Sequence, residues 1–167
     1  HTKLSDGTMG IDDIIILAKK SGVTTLAITD HDCLAGTVRA KIIGERFGVT
    51  VIPAVELSCT DKTRGGKAHL LCYFPDSPER LEGLCKRNSL IRKSAGKVMA
   101  VRVAQKFPIT TEFIVKCATG STNIYKQHIM QALLESGYTT TIFGDLFQSL
   151  FSRNGKDCVL VESTYPS

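Results

Sequence analysis

The chain has 167 residues, of which 43% are hydrophobic and 22% are charged, so it is long enough to fold around a core of its own. No apolar run approaches the roughly 20 residues that a membrane-spanning helix requires, and no secretory signal is visible. The formal net charge of +5 fits binding of anions such as phosphate esters, and it fits simple solubility equally well.

The first half of the chain alternates between helical and extended patterns. Apolar residues spaced i, i+3, i+4 and i+7 predict a first helix that ends before Gly22. The predicted elements are helices over 11–21 and 35–47, strands over 23–28, 49–52, 54–59 and 68–74, and a turn over 61–66. Strands that alternate with helices predict an α/β fold with a largely parallel sheet.

The second half of the chain is helical in pattern. The predicted helices cover 77–106, a segment after Pro108 with Thr110 or Thr111 as its cap, 122–136 and 142–151. A short strand is predicted over 159–161. We therefore expect a helical subdomain attached to the α/β part.

All four histidines occupy positions that suit a metal site: His1, His31, His69 and His128. The accompanying carboxylate motifs are His1-Thr-Lys-Leu-Ser-Asp6-Gly, Thr29-Asp30-His31-Asp32 and Val55-Glu56-Leu57-Ser58, the last of them ahead of His69. Imidazole and carboxylate groups together suit zinc, manganese or iron. The residues by themselves therefore indicate a metal-dependent hydrolase.

Glu56 and His69 stand among apolar neighbours. A carboxylate without a partner would be costly in such a setting, and either a metal ion or a basic side chain would remove that cost. A lone buried histidine is more often a packing residue than a ligand, but His69 is not alone. Because active groups of α/β sheets gather at the carboxyl ends of strands, these segments can converge with Asp30–Asp32 on one ion.

The six cysteines form no C-x-x-C pair, which argues against a thiolate zinc site. Several lie in apolar runs, which indicates small buried side chains in a reducing, cytoplasmic compartment. Cys33 follows the Asp30–Asp32 cluster directly. It is either a reactive thiol or, with no base identified beside it, a packing residue.

At these motifs the sequence resembles the PHP (polymerase and histidinol phosphatase) family of metal-dependent phosphoesterases. The family pattern is H-x-H-T-x-x-S-D-G, then T-D-H-D, then a G-[IV]-E-[IL]-S strand, then a strand centred on a histidine. The chain carries the corresponding residues at 1–7, 29–32, 55–58 and 69–73, in the same order. Its segment K-Q-H-I-M-Q-A-L at 126–133 also resembles the family's R-P-H-I-A-x-A-L.

The resemblance implies a distorted (β/α)7 barrel that holds two or three divalent metal ions, which would be zinc, manganese or iron. The implied metal ligands are His1, Asp6, His31, Glu56 and His69, with Glu56 bridging two ions. The implied domains are the N-terminal half of the barrel over 1–76, an all-helical insertion over 77–155, and the start of the return to the barrel over 156–167. The first histidine of H-x-H and the later A-H-P and D-x-H segments are absent, so we expect a partial barrel, truncated at both ends.

Two residues are candidates for catalysis. By the resemblance, His128 would face the substrate phosphate and donate to a phosphate oxygen or to the leaving group. A packing role within a helix is the alternative for this histidine. Asp30 is the second candidate, because it belongs to the dense acid–base cluster that follows the strand over 23–28.

Candidate phosphate-binding residues are His128, Lys126, Arg92 and Lys97. Lys126-Gln127 stands where the family has Arg-Pro, and lysine does not replace arginine in bidentate phosphate contacts, which puts the substrate preference in doubt. Arg92 and Lys97 belong to a basic stretch over 86–106 that contains no acid. This stretch supplies cations for phosphate or forms only a solvated helix face.

The expected reaction is hydrolysis of phosphomonoesters of nucleotides or oligonucleotide ends, by attack of a metal-bound hydroxide on phosphorus. We expect a phosphorylated small molecule or nucleotide as partner, no membrane and no obligate protein partner. Two alternatives stay open: a PHP module that has lost catalysis and binds nucleic acid or serves a structural role, and a metal-dependent amidohydrolase on the related barrel. As a truncated barrel, the chain should bind metal weakly and hydrolyse poorly.

Overall fold

The computed structural model describes all 167 residues. Six helices and three strands follow one another as α1 (Ile11–Lys20), β1 (Thr25–Ile28), α2 (Thr37–Phe47), β2 (Thr50–Asp61), β3 (Gly66–Tyr73), α3 (Glu79–Lys106), α4 (Thr111–Cys117), α5 (Lys126–Glu135) and α6 (Asp145–Phe151). The chain divides into two compact units, one of residues His1–Ser89 with Thr164–Ser167 and the other of Leu90–Ser163. None of the helices combines the length and hydropathy that a bilayer span demands. The mixed α/β composition agrees with the predicted fold class.

The first unit begins with a helix–strand–helix–strand run that matches the predicted order. α1 buries one face, on which Ile11, Ile15 and Ala18 lie, and carries its two aspartates in the first turn, where they complement the helix dipole. α2 ends at Gly48, whose φ of 69° lies in the left-handed region that favours glycine. The two helices pack against β1 and the start of β2 around Ile15, Ile43 and Val51.

The sheet is mixed, so the prediction of a largely parallel sheet is wrong. β1 pairs with β2 in parallel over Thr25–Ile28, whereas β2 and β3 form an antiparallel hairpin over Ala54–Asp61 and Gly66–Tyr73. The physical reason is the length of the turn between β2 and β3. A parallel connection needs a crossover of a dozen or more residues, and the few residues after Asp61 allow only an antiparallel return.

Pro53 lies inside one continuous strand instead of dividing two. Residues before it pair with β1, and residues after it pair with β3, beginning at Ala54 and Tyr73. A proline cannot donate a ladder hydrogen bond, so it is tolerated where the strand exchanges one partner for another. Its carbonyl still accepts a 2.8 Å bond from the Phe74 amide. The predicted strands over 49–52 and 54–59 are therefore parts of β2.

The second unit is helical and has its own core. α3 contributes its second half to this unit, and Thr110 caps α4 by accepting a hydrogen bond from the Phe113 amide, as predicted. The fully buried core residues include Val103, Ile114, Ile129, Met130, Leu133, Leu150 and Val159. Helices α3 to α6 supply all of these except Val159.

The strand predicted over 159–161 is absent. The Val159 amide donates a 2.8 Å bond to the carbonyl of Leu150, at the end of α6. Arg102 donates through Nη1 to the carbonyls of Val159 and Leu160, at 3.2 and 2.9 Å. Because a helix end and an arginine satisfy these backbone groups, the apolar segment packs on the helices without a strand partner.

A pair of glycines tests the packing of α2. A Cβ atom on Gly44 would lie 2.5 Å from the Val49 carbonyl oxygen and 2.5 Å from a methyl group of Val51, whereas a Cβ atom on Gly83 of α3 would meet nothing within 4 Å. Gly44→Ala should therefore destabilise the protein by about 1–3 kcal/mol. Gly83→Ala should stabilise it by about 0.5–1 kcal/mol. Thermal and urea unfolding measure both; equal midpoints for the two variants would contradict this packing.

Candidate metal centre

The site is built on a backbone bridge between the end of β1 and the middle of β2. Beyond Ile28 the chain continues alongside β2, and His31 forms a parallel bridge with Glu56. The Glu56 amide donates to the Asp30 carbonyl at 3.2 Å, and the Asp32 amide donates to the Glu56 carbonyl at 2.9 Å. This register places the side chains of His31 and Glu56 next to each other.

Three imidazoles and two carboxylates meet at this bridge. His1 lies between two acids, with Nδ1 3.0 Å from Asp6 Oδ1 and Nε2 2.9 Å from Glu56 Oε2. His31 lies 3.7 Å from an oxygen of each of the same two acids. His69 contacts the Glu56 carboxylate through Nδ1. The structure therefore brings together all five residues that the family resemblance implied as metal ligands.

The donor set fits a divalent cation. Ligand atoms of His1, His31 and Glu56 all lie within 4.8 Å of one another. Both ring nitrogens of His1 face carboxylate oxygens, and a neutral imidazole has only one N–H to donate. The arrangement is therefore satisfied by a protonated ring or by a cation that the nitrogens and oxygens share. Mixed nitrogen and oxygen ligands of this kind suit zinc, manganese and iron.

His69 is more exposed than its sequence context suggested. Its side chain is 46% exposed, and its neighbours Leu70 and Leu71 are exposed as well. The reason is the position of β3, which lies at the edge of the three-stranded sheet. Apolar residues around His69 therefore do not bury it in this structure, although its imidazole still reaches Glu56.

Asp30 fastens the N-terminal loop to the end of β1. The carboxylate is 2% exposed and accepts three short hydrogen bonds, from the Thr2 amide at 2.6 Å, the Thr2 hydroxyl at 2.7 Å and the Ser5 hydroxyl at 2.6 Å. Thr2 and Ser5 are themselves fully buried. Both carboxylate oxygens are thus engaged in holding the loop that carries His1 and Asp6.

Asp32 does the corresponding work on the other side of His31. Its carboxylate accepts from the Ser58 amide at 3.0 Å, the Ser58 hydroxyl at 2.9 Å and the Asn88 amide group at 2.7 Å. Sequence reasoning did not assign roles to Thr2, Ser5, Ser58 or Asn88. The first three stand inside the recognised motifs and could have been inferred, whereas no local pattern marks Asn88.

The charges in the cluster stabilise one another. Burial opposes ionisation of Asp6, but the hydrogen bond to His1 and the positive charges of His31 and His1 outweigh it and lower the pKa of Asp6 to about 2. The hydrogen bond to Asp6 raises the pKa of His1 above 6.5, against burial and with support from the negative charges of Asp6, Glu56 and Asp30. In the absence of metal, both pKa shifts therefore favour the ionic form of the His1–Asp6 pair.

Comparison with known proteins decides the family. The family model described as the PHP domain matches residues 1–155. The chain belongs to the PHP family.

Relatives of this PHP chain have names drawn from phosphoester chemistry. A phosphoribosyl 1,2-cyclic phosphate 1,2-diphosphodiesterase from Eggerthella lenta is 33% identical over 93% of the chain and 60% of its own length. A 5'-3' exoribonuclease from Salmonella typhimurium is 27% identical over 92% of the chain and 52% of its own length. The chain thus spans little more than half the length of these relatives.

A solved structure shares the fold of the whole chain. It is the 2.40 Å crystal structure of a Bifidobacterium adolescentis protein considered a metal-dependent phosphoesterase, with a TM-score of 0.88 and 29% sequence identity. The match covers 100% of this chain and 58% of that protein. Both units of the PHP chain therefore have counterparts in that fold.

His128 lies in the second unit, at the start of α5. Its Nδ1 accepts a 3.1 Å hydrogen bond from the Tyr125 amide, and the residue is 8% exposed. Because Nδ1 acts as acceptor, the neutral ring carries its proton on Nε2.

The Arg92 guanidinium stacks over the Tyr125 ring at 5.0 Å, and Lys126 lies 5.5 Å from the centre of the Phe151 ring. Lys97 is exposed on α3.

Cys33 has the properties of a packing residue. Burial raises the pKa of its thiol, with a smaller contribution from the negative charges of Asp30 and Asp32. A raised pKa leaves little thiolate at neutral pH, and the thiolate is the reactive form. None of the six cysteines forms a disulfide bond. Of the two alternatives for Cys33, the structure favours packing.

The ion pair between His1 and Asp6 predicts a pH dependence for the metal-free protein. The raised pKa of His1 adds stability that is fully present below pH 6.5, the ordinary pKa of histidine. This stability is lost as the pH rises through the raised pKa of the folded protein. The lowered pKa of Asp6 adds stability that is present above pH 3.8 and is lost as the pH falls towards 2. The pair therefore stabilises the fold most between pH 3.8 and 6.5.

An NMR titration of the imidazoles in chelator-treated protein measures this directly. The His1 midpoint should lie above 6.5 in the natural protein and should fall in Asp6→Asn, because the largest cause of the shift is removed. Asp12→Asn is the matched control, since Asp12 pairs on the surface with Arg39. An unchanged His1 midpoint in Asp6→Asn would contradict the assignment.

Proposed function

We propose that the protein containing this chain is a metal-dependent phosphoesterase that hydrolyses phosphate esters of nucleotides or of oligonucleotide ends. The observation that carries the proposal is the convergence of three imidazoles and two carboxylates at the His31–Glu56 bridge. Relatives named as a cyclic phosphate diphosphodiesterase, an exoribonuclease and a 3',5'-nucleoside bisphosphate phosphatase support the substrate class. A cytoplasmic location is part of the proposal.

The residues that would hold metal are His1, Asp6, His31, Glu56 and His69. We propose two or three divalent ions, of zinc, manganese or iron; Glu56 contacts all three imidazoles, which supports its place at the centre of the residues that would hold them. When bound, such ions supply Lewis acidity for phosphate oxygens and a water of lowered pKa. Binding and orientation of the substrate and the transfer of protons would be carried out by the side chains.

Asp30 and Asp32 orient the ligands. The oxygens of both carboxylates accept hydrogen bonds, those of Asp30 from the N-terminal loop and those of Asp32 from β2. Neither carboxylate is therefore available to exchange protons with a substrate. For Asp30 we therefore propose a positioning role in place of the catalytic role expected from the sequence. Its loss would release the loop that carries His1 and Asp6.

His128 and the basic residues would act on the phosphate ester. The Nε2–H of His128 is a donor held in a fixed orientation by the Tyr125 amide, and it suits donation to a phosphate oxygen or to the leaving oxygen. Arg92, stacked on Tyr125, and Lys126, at the start of α5, bring positive charge to the same unit. Lys97 adds an exposed cation on α3. We propose all four as substrate-binding residues.

The three strands would form part of the distorted (β/α)7 barrel that the resemblance implies. The sequence placed the barrel over 1–76 and 156–167 and the helical insertion over 77–155. Because the compact units divide the chain after Ser89 and Ser163, we propose 90–163 as the insertion and the remaining residues as part of the barrel. The greater length of the matched relatives supports a barrel with further strands.

Replacement of a proposed metal ligand tests the proposal. Glu56→Gln should lower both the bound metal and the rate of phosphate release by at least about 100-fold, since even partners behind the ligands cost 10–100-fold. Arg39→Ala, which removes an exposed ion pair with Asp12 on the surfaces of α2 and α1, is the control and should keep both. The measurements are elemental analysis and phosphate release from nucleoside bisphosphates, 5'-phosphorylated oligonucleotides and cyclic phosphates. Bound metal without release from any of them would contradict the proposal and favour a binding module.

His128→Gln separates catalysis from metal binding. If the His128 N–H donates in the transition state, the turnover number should fall by about 100-fold or more while the metal content stays the same. Lys116→Gln, at an exposed lysine of α4, is the control in the same unit. Normal turnover in a correctly folded His128→Gln protein would sink this role.

A further inference from the structure

Asn88 is a buried polar residue in the first half of α3. It is fully buried, and its Nδ2 donates two 2.7 Å hydrogen bonds, to Asp32 Oδ1 and to the Ser58 carbonyl. Both partners can only accept, so the orientation of the amide group is fixed by its surroundings. No charged or polar motif in the sequence indicates that this residue is buried or what it contacts.

Apolar side chains precede Asn88 on the same face of α3. One turn before it, Cys85 packs against Val55 and Leu57, the β2 residues on either side of Glu56. The Oδ1 atom of Asn88 is buried and has no hydrogen-bond partner. A buried carbonyl oxygen without a partner destabilises the fold, so packing alone would favour leucine here. What distinguishes the amide is the pair of acceptors that it joins.

Both acceptors lie directly beside metal-site residues. Asp32 follows His31, and its backbone has a φ of 49°, a conformation that is uncommon for residues other than glycine. The Asp32 amide also donates to the Glu56 carbonyl, and Ser58 stands two residues after Glu56 on β2. The Asn88 amide therefore joins the loop that carries His31 to the strand that carries Glu56, from the side of α3.

We propose that Asn88 is a positioning residue for the metal centre. It holds Asp32 in the left-handed conformation and fixes the separation of His31 and Glu56, although it touches neither. The inference rests on the proposed function, because it concerns the same site. Part of the precision of that site thus comes from α3, a helix that contributes no ligand.

Asn88→Leu tests the proposal, because leucine has a similar size and cannot donate. Isothermal titration with Mn²⁺ on the purified protein should show affinity reduced by about 10–100-fold, the usual cost of losing a partner behind a ligand. The variant removes an unpartnered oxygen but also takes a donor away from two buried acceptors, so the unfolding temperature should fall somewhat, and a separate control must distinguish lost stability from lost affinity. Mn²⁺ affinity within two-fold of the natural protein would overturn the proposal.

An exchange of the two side chains guards against a variant that merely misfolds. Asn88→Asp alone places two carboxylates in contact and should weaken Mn²⁺ binding at least as much as Asn88→Leu. Adding Asp32→Asn restores one donor and one acceptor, and part of the lost affinity should return. If the double variant binds no better than Asn88→Asp alone, the hydrogen bond between the two residues is not what positions the site.

Val103→Ala is the stability control. Val103 is fully buried on the same helix, in the core of the second unit, so its truncation should lower stability without lowering Mn²⁺ affinity. A parallel loss of affinity in Val103→Ala would overturn the proposal by showing that any weakening of α3 has this effect.

The metal readout also separates this inference from the proposed function. If the natural protein binds Mn²⁺ and Asn88→Leu does so equally well, only the inference fails. If the natural protein binds Mn²⁺ but releases phosphate from no ester, the proposed function fails and the Asn88 result still decides the inference. Failure of the natural protein to bind any divalent metal would overturn both.

Discussion

The candidate metal centre depends on the backbone bridge between His31 and Glu56. Two hydrogen bonds, on either side of His31, fix the register of the loop after β1 against the middle of β2. A slip of one residue would turn either His31 or Glu56 to the opposite face of the sheet. Asp30 and Asp32 protect this register by fastening the loop to its neighbours on both sides. The contacts of His1 and His69 with Glu56 depend on this register.

Charge gives the cluster its chemical character. Carboxylates and imidazoles at about 3 Å share protons when no metal is present, which is why the pKa of His1 is raised and that of Asp6 is lowered. A divalent cation would take the place of those protons, so metal binding should release protons and weaken at low pH. The same contacts thus serve two states. Without metal they stabilise the fold, and in the proposed metal-bound state they would provide the ligands.

The sequence indicated which side chains converge at the candidate metal centre, because their signals are local. Each of the ligand motifs carries its chemistry within a few residues, and β1 and β2 place two of them at one edge by simple register. What failed depended on partners distant in the chain. Val159 has an apolar context that fits a strand, but Arg102 and the end of α6 take its backbone groups. The sequence places a strand boundary at Pro53, because a proline alone does not indicate which strand pairs with the residues on each side of it.

The hydrogen-bond partners of polar residues are harder to predict from the sequence than the residues themselves. Asp30 belongs to a motif rich in acids and bases, which suggested catalysis, yet three donors from residues more than 20 positions away occupy its oxygens. Asn88 lies 56 residues from Asp32 in the chain, and nothing in its helix indicates the contact. Such long-range hydrogen bonds distinguish a proton-transfer group from a positioning group.

The most direct test of this account is a crystal structure of the protein grown with Mn²⁺, with the metal located by anomalous scattering. The account predicts anomalous density in contact with the Glu56 carboxylate and with the imidazoles of His1 and His31. Density only at other residues, or no density in crystals that contain Mn²⁺, would contradict it.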